Sequence, residues 1–322
     1  MPNIGDSERK TQNRVVKFFR DKLHYTYLGN LHDNENRNIM QERLHAWLLK
    51  QGYSEKIAAH AVDTLVKTST NLQQGLYHAN KEVYSLLKYG AKVKESVEQS
   101  PKTVYFIDFE DVSKNDFYIA EEVTIVSNNT KRPDVVVYVN GIALAVIELK
   151  KSSVSVSNGI RQNLTNQKSN FIEDFFTTIQ FCMAGNDSEG LRYGTLFTPE
   201  KHYLEWKDDG FIEHQPERDI VDIEVEEYCE GIPGKLEKQL FSLFYKKRFL
   251  DLIHNFVIFD KGIKKVCRYN QYYAIKRAQH RLTDKKCGGI VWHTQGSGKS
   301  LTMVWFSKWI LENNPNARVL VV

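Results

Sequence analysis

Apolar positions along the chain follow two periods. Helical spacing predicts a helix over 8–23, where Glu8, Gln12, Val16, Phe19 and Leu23 share one face. Two more amphipathic helices are expected over 38–51 and 54–68, separated by Gly52, and a polar stretch leads to another over 81–89. Strand-like runs follow at 105–109 and 122–126. The clearest β signal is Asp134-Val-Val-Val-Tyr-Val139, then Asn140-Gly141, then Ile142-Ala-Leu-Ala-Val-Ile147-Glu148. Asn-Gly between two apolar runs predicts a hairpin. Residues 158–184 read as mixed and mainly helical, and 190–204 as β. In 213–230, Ile223 and Val225 alternate with acids, which predicts a solvated edge strand. Pro233-Gly234 punctuates the chain there. Helices are expected over 236–256 and 269–282, with a short strand at 288–292.

Length and charge turn this pattern into two domains. The chain has 322 residues, about two domains' worth. The net charge of +4 conceals a division: residues 236–322 hold 16 Lys/Arg and 5 Asp/Glu, a charge of +11, and residues 1–235 hold 28 and 35, a charge of −7. We therefore place a boundary near 235 and expect a polyanionic partner for the second part. No apolar run is long enough to cross a bilayer, and MPNIGDSERKTQNR has no signal-peptide core. Cys182, Cys229, Cys267 and Cys287 form no CxxC pair, so the expectation is a reduced, cytoplasmic protein with no membrane partner. The final run, Ala317-Arg-Val-Leu-Val-Val322, reads as a strand with no turn after it, as in an N-terminal piece of a longer protein.

The basic part carries a phosphate-binding signature. His293-Thr294-Gln295-Gly296-Ser297-Gly298-Lys299-Ser300 lies between an expected strand and an expected helix. Gly296 and Gly298 let successive N–H groups point at phosphate oxygens, Lys299 reaches the β- and γ-phosphates, and Ser300 can ligate Mg²⁺. His293 replaces the first Gly of the full motif, a departure that superfamily-2 helicases often show. Superfamily-2 motors often carry a Gln about this far before the glycine loop, reading the adenine edge, and Gln271, in Arg268-Tyr-Asn-Gln-Tyr-Tyr-Ala274, is similar to it in position. No acidic DExx-type run follows in the 22 residues after Ser300, so part of an ATPase is expected rather than a complete one.

The acidic part carries a second constellation. Arg132-Pro133-Asp134 and Glu148-Leu149-Lys150 fit the PD-(D/E)xK nuclease pattern, with 13 residues between the acids. Two carboxylates on adjacent strands can share Mg²⁺, and a lysine two residues after the second lies on the same face. The turn decides whether this works. A two-residue Asn140-Gly141 loop in an unbroken ladder pairs Asp134 with Ile147 and sets the acids on opposite faces. A three-residue Val139-Asn140-Gly141 loop pairs Asp134 with Val146, and Asp134, Glu148 and Lys150 then point the same way. A shared metal therefore predicts the three-residue, bulged loop. Glu8, on the first helix, is the leading candidate for a third acid, ahead of Glu35 and Glu42, and Gln162 lies 14 residues past Glu148 on an expected helix.

The combination resembles the restriction (R, motor) subunit of type I restriction–modification enzymes. SERKTQNRVVKFF, NDFYIAEEVT, KRPDVVVYVNGIALAVIELK, GIRQNLTNQ, LRYGTLFTPEKHYLEW, RYNQYYA and WHTQGSGKSLTMVW carry the resemblance. It implies an α/β chain: a PD-(D/E)xK (RecB-like) endonuclease domain over 1–235, then the start of a RecA-like superfamily-2 motor over 236–322. It also implies Mg²⁺-dependent cutting of double-stranded DNA after ATP-driven translocation, in a complex with modification (methyltransferase) and specificity subunits. S-adenosylmethionine would enter through that complex. Asp134, Glu148 and Lys150 would form the nuclease centre, joined by Glu8 and Gln162. The family often shows QxxxY here, and Asn166 stands at the Tyr position. Two alternatives stay open: a helicase–nuclease of another DNA-repair family, and a fragment acting only as a DNA-binding or assembly module.

Overall fold

The computed structural model describes residues 7–33, 35–95, 98, 100–207, 232 and 234–321. The expected acidic strand over 213–230, Cys229 and Pro233 lie outside the described residues. The fold is mixed α/β. Helix α1 (Glu8–Asp21) starts at Ser7, whose side chain caps the N–H of Lys10, and buries Val15, Val16 and Phe19. Strand β1 (Thr26–Asn30) follows, then α2 (Gln41–Lys50), α3 (Glu55–Thr70) and α4 (Leu76–Tyr89). A small ribbon, β2 (Ala91–Val93) with β3 (Lys102–Val104), leads to β4 (Phe117–Glu121). A second ribbon, β5 (Ile125–Val126) with β6 (Thr130–Lys131), precedes the long hairpin β7 (Val135–Val139) and β8 (Ile142–Leu149). Then come α5 (Val156–Asn166), β9 (Phe181–Asn186) and β10 (Gly190–Gly194). Six of these strands form one sheet in the order β1-β4-β7-β8-β9-β10, with β1/β4 and β8/β9 parallel and the rest antiparallel.

β7 and β8 are buried on both faces, which is why their sequences are almost continuously apolar. The odd-numbered side chains of β7 join the larger core and the even-numbered ones a second core containing Ile172, Phe175 and Phe176. The turn differs from the expected one. It is a two-residue Asn140-Gly141 turn, with φ of 53° and 87°, pairing Val139 with Ile142. The extra residue sits further along: the ladder steps from Tyr138↔Ala143 to Val137↔Ala145, so Leu144 is bulged. Leu144 and Ala145 both face the larger core, and the alternation resumes one residue out of phase.

Other expectations also shift. Residues 105–109 are a loop, not a strand, because Asp108 and Asn115 tie their backbone into a turn through Asn115 Oδ1 and Nδ2. The expected 122–126 strand is displaced: pairing runs through 117–121 and then 125–126. The helix expected from 81 begins at Leu76. Its polar Asn80 is buried and donates to the carbonyls of Phe176, Thr177 and Ile179. Residues 181–186 form β9 between β8 and β10, where the mixed, mainly helical reading of 158–184 had reached to 184; a short apolar run does not distinguish helix from strand.

The helix expected over 236–256 is two, α6 (Lys235–Phe244) and α7 (Lys246–Asn255), broken at Tyr245 with ψ near 120°. α6 packs on β10, and Leu236, Leu240, Phe244 and Phe249 belong to the same core as the sheet. A hairpin, β11 (Val257–Asp260) and β12 (Ile263–Val266), buries Lys264, whose Nζ donates to Asn80 Oδ1 and Gln180 Oε1. α8 (Tyr269–His280) and α9 (Lys299–Asn313) complete the described helices. The expected strand at 288–292 is irregular and exposed, with Trp292 90% accessible. A strand needs ladder partners, and none of the described residues pairs with it. The same holds for the terminal run, where Leu320 is exposed. Among the described residues no helix is long and apolar enough to cross a membrane.

Candidate functional site

Asp134 and Glu148 meet because of the bulge. Val135 pairs with Ile147, so the next residues outward, Asp134 and Glu148, stand opposite each other on the face of Val136 and Val146. The predicted loop is wrong in position, yet the predicted consequence holds. One bulge anywhere between turn and acids corrects the phase. Asp134 Oδ2 accepts from the Leu149 N–H at 2.7 Å. Glu148 is fully buried; its Oε2 accepts from Gln162 Nε2 at 2.6 Å, and its Oε1 has no hydrogen-bond partner among the described residues. Gly159 lets α5 approach this closely, since a Cβ there would lie 2.9 Å from Ala184 Cβ and 3.3 Å from Glu148 Cβ.

Lys150 closes the group. Its Nζ lies 3.1 Å from Glu8 Oε1 and 3.9 Å from Asp134 Oδ2, and donates to the Leu149 carbonyl. Burial pushes Asp134 up to about 6, an effect that Lys150 and the Leu149 N–H oppose and Glu8 and Glu122 reinforce. Burial and the facing Asp134 raise Glu148 well above the carboxylate range. Burial works against the charge on Lys150, but Asp134 and Glu148 hold its pKa above the usual value. Two buried carboxylates facing one another disfavour double ionisation unless a cation is present. An all-oxygen pair with one buried, unpaired oxygen fits a hard divalent cation such as Mg²⁺. Among the described residues no third His, Cys, Asp or Glu completes a ligand set with them. Glu8 reaches the site by way of Lys150, and Glu35 and Glu42 are exposed.

Sequence reasoning missed the support around Asp134. Gln12, one turn after Glu8, is buried and donates to both the Asp134 carbonyl and Glu121 Oε2. Glu121 also accepts from Tyr27 and Arg9. The signal was a polar Gln on the apolar face of α1. Tyr203 was also missed: it packs with Val156, Ile160 and Ala184 beside Glu148.

The glycine loop forms the second site. Gly296 and Gly298 have φ of 80° and 88°, and Gly298 precedes α9. Lys299 Nζ donates to the carbonyls of His293 and Thr294, and Ser297 Oγ to that of Thr294. Gln271 is buried beneath the loop. Its Nε2 donates to the Gly298 carbonyl at 2.9 Å and its Oε1 accepts from the Arg268 N–H. Its amide thus staples the loop rather than facing outward. A cleft of about 400 Å³ lies beside it, lined by Arg268, Tyr269, Asn270, Trp292, Gln295 and Gly296 among others. Ser300 is the second residue of α9, directly after Lys299.

Comparison with known proteins shows what the chain is similar to. Residues 6–202 match the family model for the N terminus of type I restriction enzyme R proteins, and residues 270–322 match that of the SWI2/SNF2 ATPases. A putative type I restriction enzyme MjaIXP endonuclease subunit of Methanocaldococcus jannaschii is 29% identical, over 76% of this chain and 25% of its own. The type I restriction enzyme HindI endonuclease subunit of Haemophilus influenzae is 30% identical, over 78% of this chain and 24% of its own. The chain thus spans about a quarter of the length of these curated relatives. With a family model matched across more than half its length, and that match containing Glu8, Asp134, Glu148, Lys150 and Gln162, the chain belongs to the type I restriction enzyme R protein family, in the region of its N terminus.

Proposed function

We propose that this chain carries the DNA-cutting centre of a type I restriction subunit, in a PD-(D/E)xK-type domain, joined to the beginning of an ATP-driven motor. The observation that carries the reading is the convergence of buried Asp134 and Glu148 on one sheet face with Lys150 over Asp134. Asp134 and Glu148 would hold Mg²⁺, which supplies Lewis acidity and a bound water of lowered pKa. The chain's own residues do the rest. Gln162 fixes the Glu148 carboxylate, and Gln12 and the Leu149 N–H fix Asp134. Lys150, held by Glu8, places a positive charge where the scissile phosphate gains negative charge.

In the motor segment Lys299 spends its donors on two loop carbonyls, and the phosphates of ATP would take their place. Ser300 would hold the nucleotide's Mg²⁺. Double-stranded DNA is the substrate, and modification and specificity subunits are the partners within the complex. The acidic and basic parts would be the cutting and motor segments, divided near 235, although their helices share one core.

The test is Lys150→Ala in the full-length subunit within its complex. ATPase activity should persist and DNA cleavage should be lost. Normal cleavage by that variant would refute the assignment.

A further inference from the structure

Two buried polar atoms lie on the same side of the sheet, each without a hydrogen-bond partner among the described residues. They are Oε1 of Glu148, an acceptor, and the hydroxyl of Tyr203, a donor. Unpaired polar atoms at that depth are costly, and each calls for a partner. Glu148 stands opposite Ala184 of β9 in the register, and Tyr203 packs against the small cluster of Val156, Ile160 and Ala184. Tyr203 also borders the core that contains Val146 and Cys182, the next residues inward on that face of β8 and β9.

The backbone on either side fixes where Tyr203 stands. On one side, Arg161 of α5 donates to both oxygens of Glu200, at 2.7 and 3.0 Å. This ties the short turn Glu200–His202 to the helix that carries Gln162. On the other side, Leu204 and Tyr193 of β10 exchange backbone hydrogen bonds of 2.8 and 2.9 Å. Leu204 joins the larger core, so its neighbour Tyr203 turns to the opposite face, the one that bears Glu148. Burial pushes the Tyr203 hydroxyl well above its usual pKa, and the nearby Cys182 and Glu148 add to the rise.

We propose that Tyr203 is a positioning residue for Glu148, its hydroxyl being the second donor, beside Gln162, to the Glu148 carboxylate. A carboxylate oxygen has two lone pairs, so Oε1 can accept from the phenol and still face a cation. Such hydrogen bonds are often long in a free enzyme and tighten when the ligands are in place. Gln162 on Oε2 and Tyr203 on Oε1 then hold the carboxylate at both ends. The inference rests on the reading of Glu148 as a metal ligand given above.

The experiment uses the full-length subunit without nucleotide. Mn²⁺, which suits the same oxygen ligands as Mg²⁺, is the probe, and free Mn²⁺ is counted by electron paramagnetic resonance. Glu148→Ala identifies the site as the binding that it removes. Tyr203→Phe keeps the ring and removes only the hydroxyl, and it should weaken that binding about tenfold. In the assembled complex it should raise the Mg²⁺ concentration for half-maximal cleavage by a similar factor, with the plateau rate recovered at high Mg²⁺. Unchanged Mn²⁺ affinity in Tyr203→Phe, with the site still lost in Glu148→Ala, would overturn the role of Tyr203 and leave the nuclease reading standing. Mn²⁺ binding undiminished in Glu148→Ala would overturn the metal-ligand reading of Glu148 and this inference with it.

Discussion

From α5, Gln162 Nε2 donates a 2.6 Å hydrogen bond to Oε2 of the fully buried Glu148 carboxylate. The bond selects one orientation of Glu148 and leaves Oε1 for another ligand. Gln162→Ala should therefore lower DNA cleavage about 10–100-fold, the usual cost of losing support for a metal ligand. Added Mg²⁺ should recover part of the loss. A Mg²⁺ titration of cleavage checks this, and an unaltered titration midpoint would count against the role given to Gln162.

The hairpin turn sets the phase of both strands. Gly141 has φ of 87°, and a Cβ there would lie 2.9 Å from the Met40 carbonyl and 3.0 Å from Arg43 Cβ. Gly141→Ala should cost about 2 kcal/mol or more of stability, through both strain and crowding. Chemical denaturation read by circular dichroism measures it. A loss below about 0.5 kcal/mol would show that the turn relaxes freely.

In the glycine loop, Gly298 has φ of 88°, and a Cβ there would lie 2.3 Å from Gln271 Nε2. Gly298→Ala should expel the Gln271 amide and abolish binding of a fluorescent ATP analogue. Nucleotide affinity equal to that of the unaltered chain would contradict the loop's role.

His254 gives the fold a dependence on pH. It stacks on Phe109 with ring centroids 4.3 Å apart, and burial together with Lys88 lowers its pKa to about 4. The other charges acting on it are Asp251, Glu312 and Lys308. The folded ring stays neutral while the unfolded one protonates near 6.5. The contribution is thus complete above about pH 6.5 and is lost as pH falls towards 4, by about 2–3 kcal/mol in all. His254→Gln should flatten the fall in unfolding free energy between pH 7 and 4.5. An equally steep fall in the variant would assign the dependence to other groups.

The chemistry was legible in the sequence because it is local. Asp134, Glu148 and Lys150 announce themselves by type and spacing, as do Gly296, Gly298 and Lys299, and the amphipathic face of α1 follows from its period. That a hairpin turns at Asn140-Gly141 was legible too, since both residues accept positive φ easily, but its two-residue form was not the expected one.

What the sequence left open depends on partners distant in the chain. The extra residue lies at Leu144 and not in the turn, because the two cores on either face of β8 take Ala143 and Val146 on one side and Leu144 and Ala145 on the other. Glu8 was a fair candidate on its helix, but its contact with Lys150, 142 residues away, is made by packing α1 on the sheet. Asn80 and Lys264 look like surface residues in sequence and are buried because distant carbonyls and amides satisfy them. Conversely, the apolar run at 288–292 reads as a strand but stays irregular, since no described neighbour completes its ladder. Sequence alone determined which groups the chain brings to a site. The tertiary structure decided their phase and which polar groups are buried, because register and burial are set by neighbours that local pattern does not name.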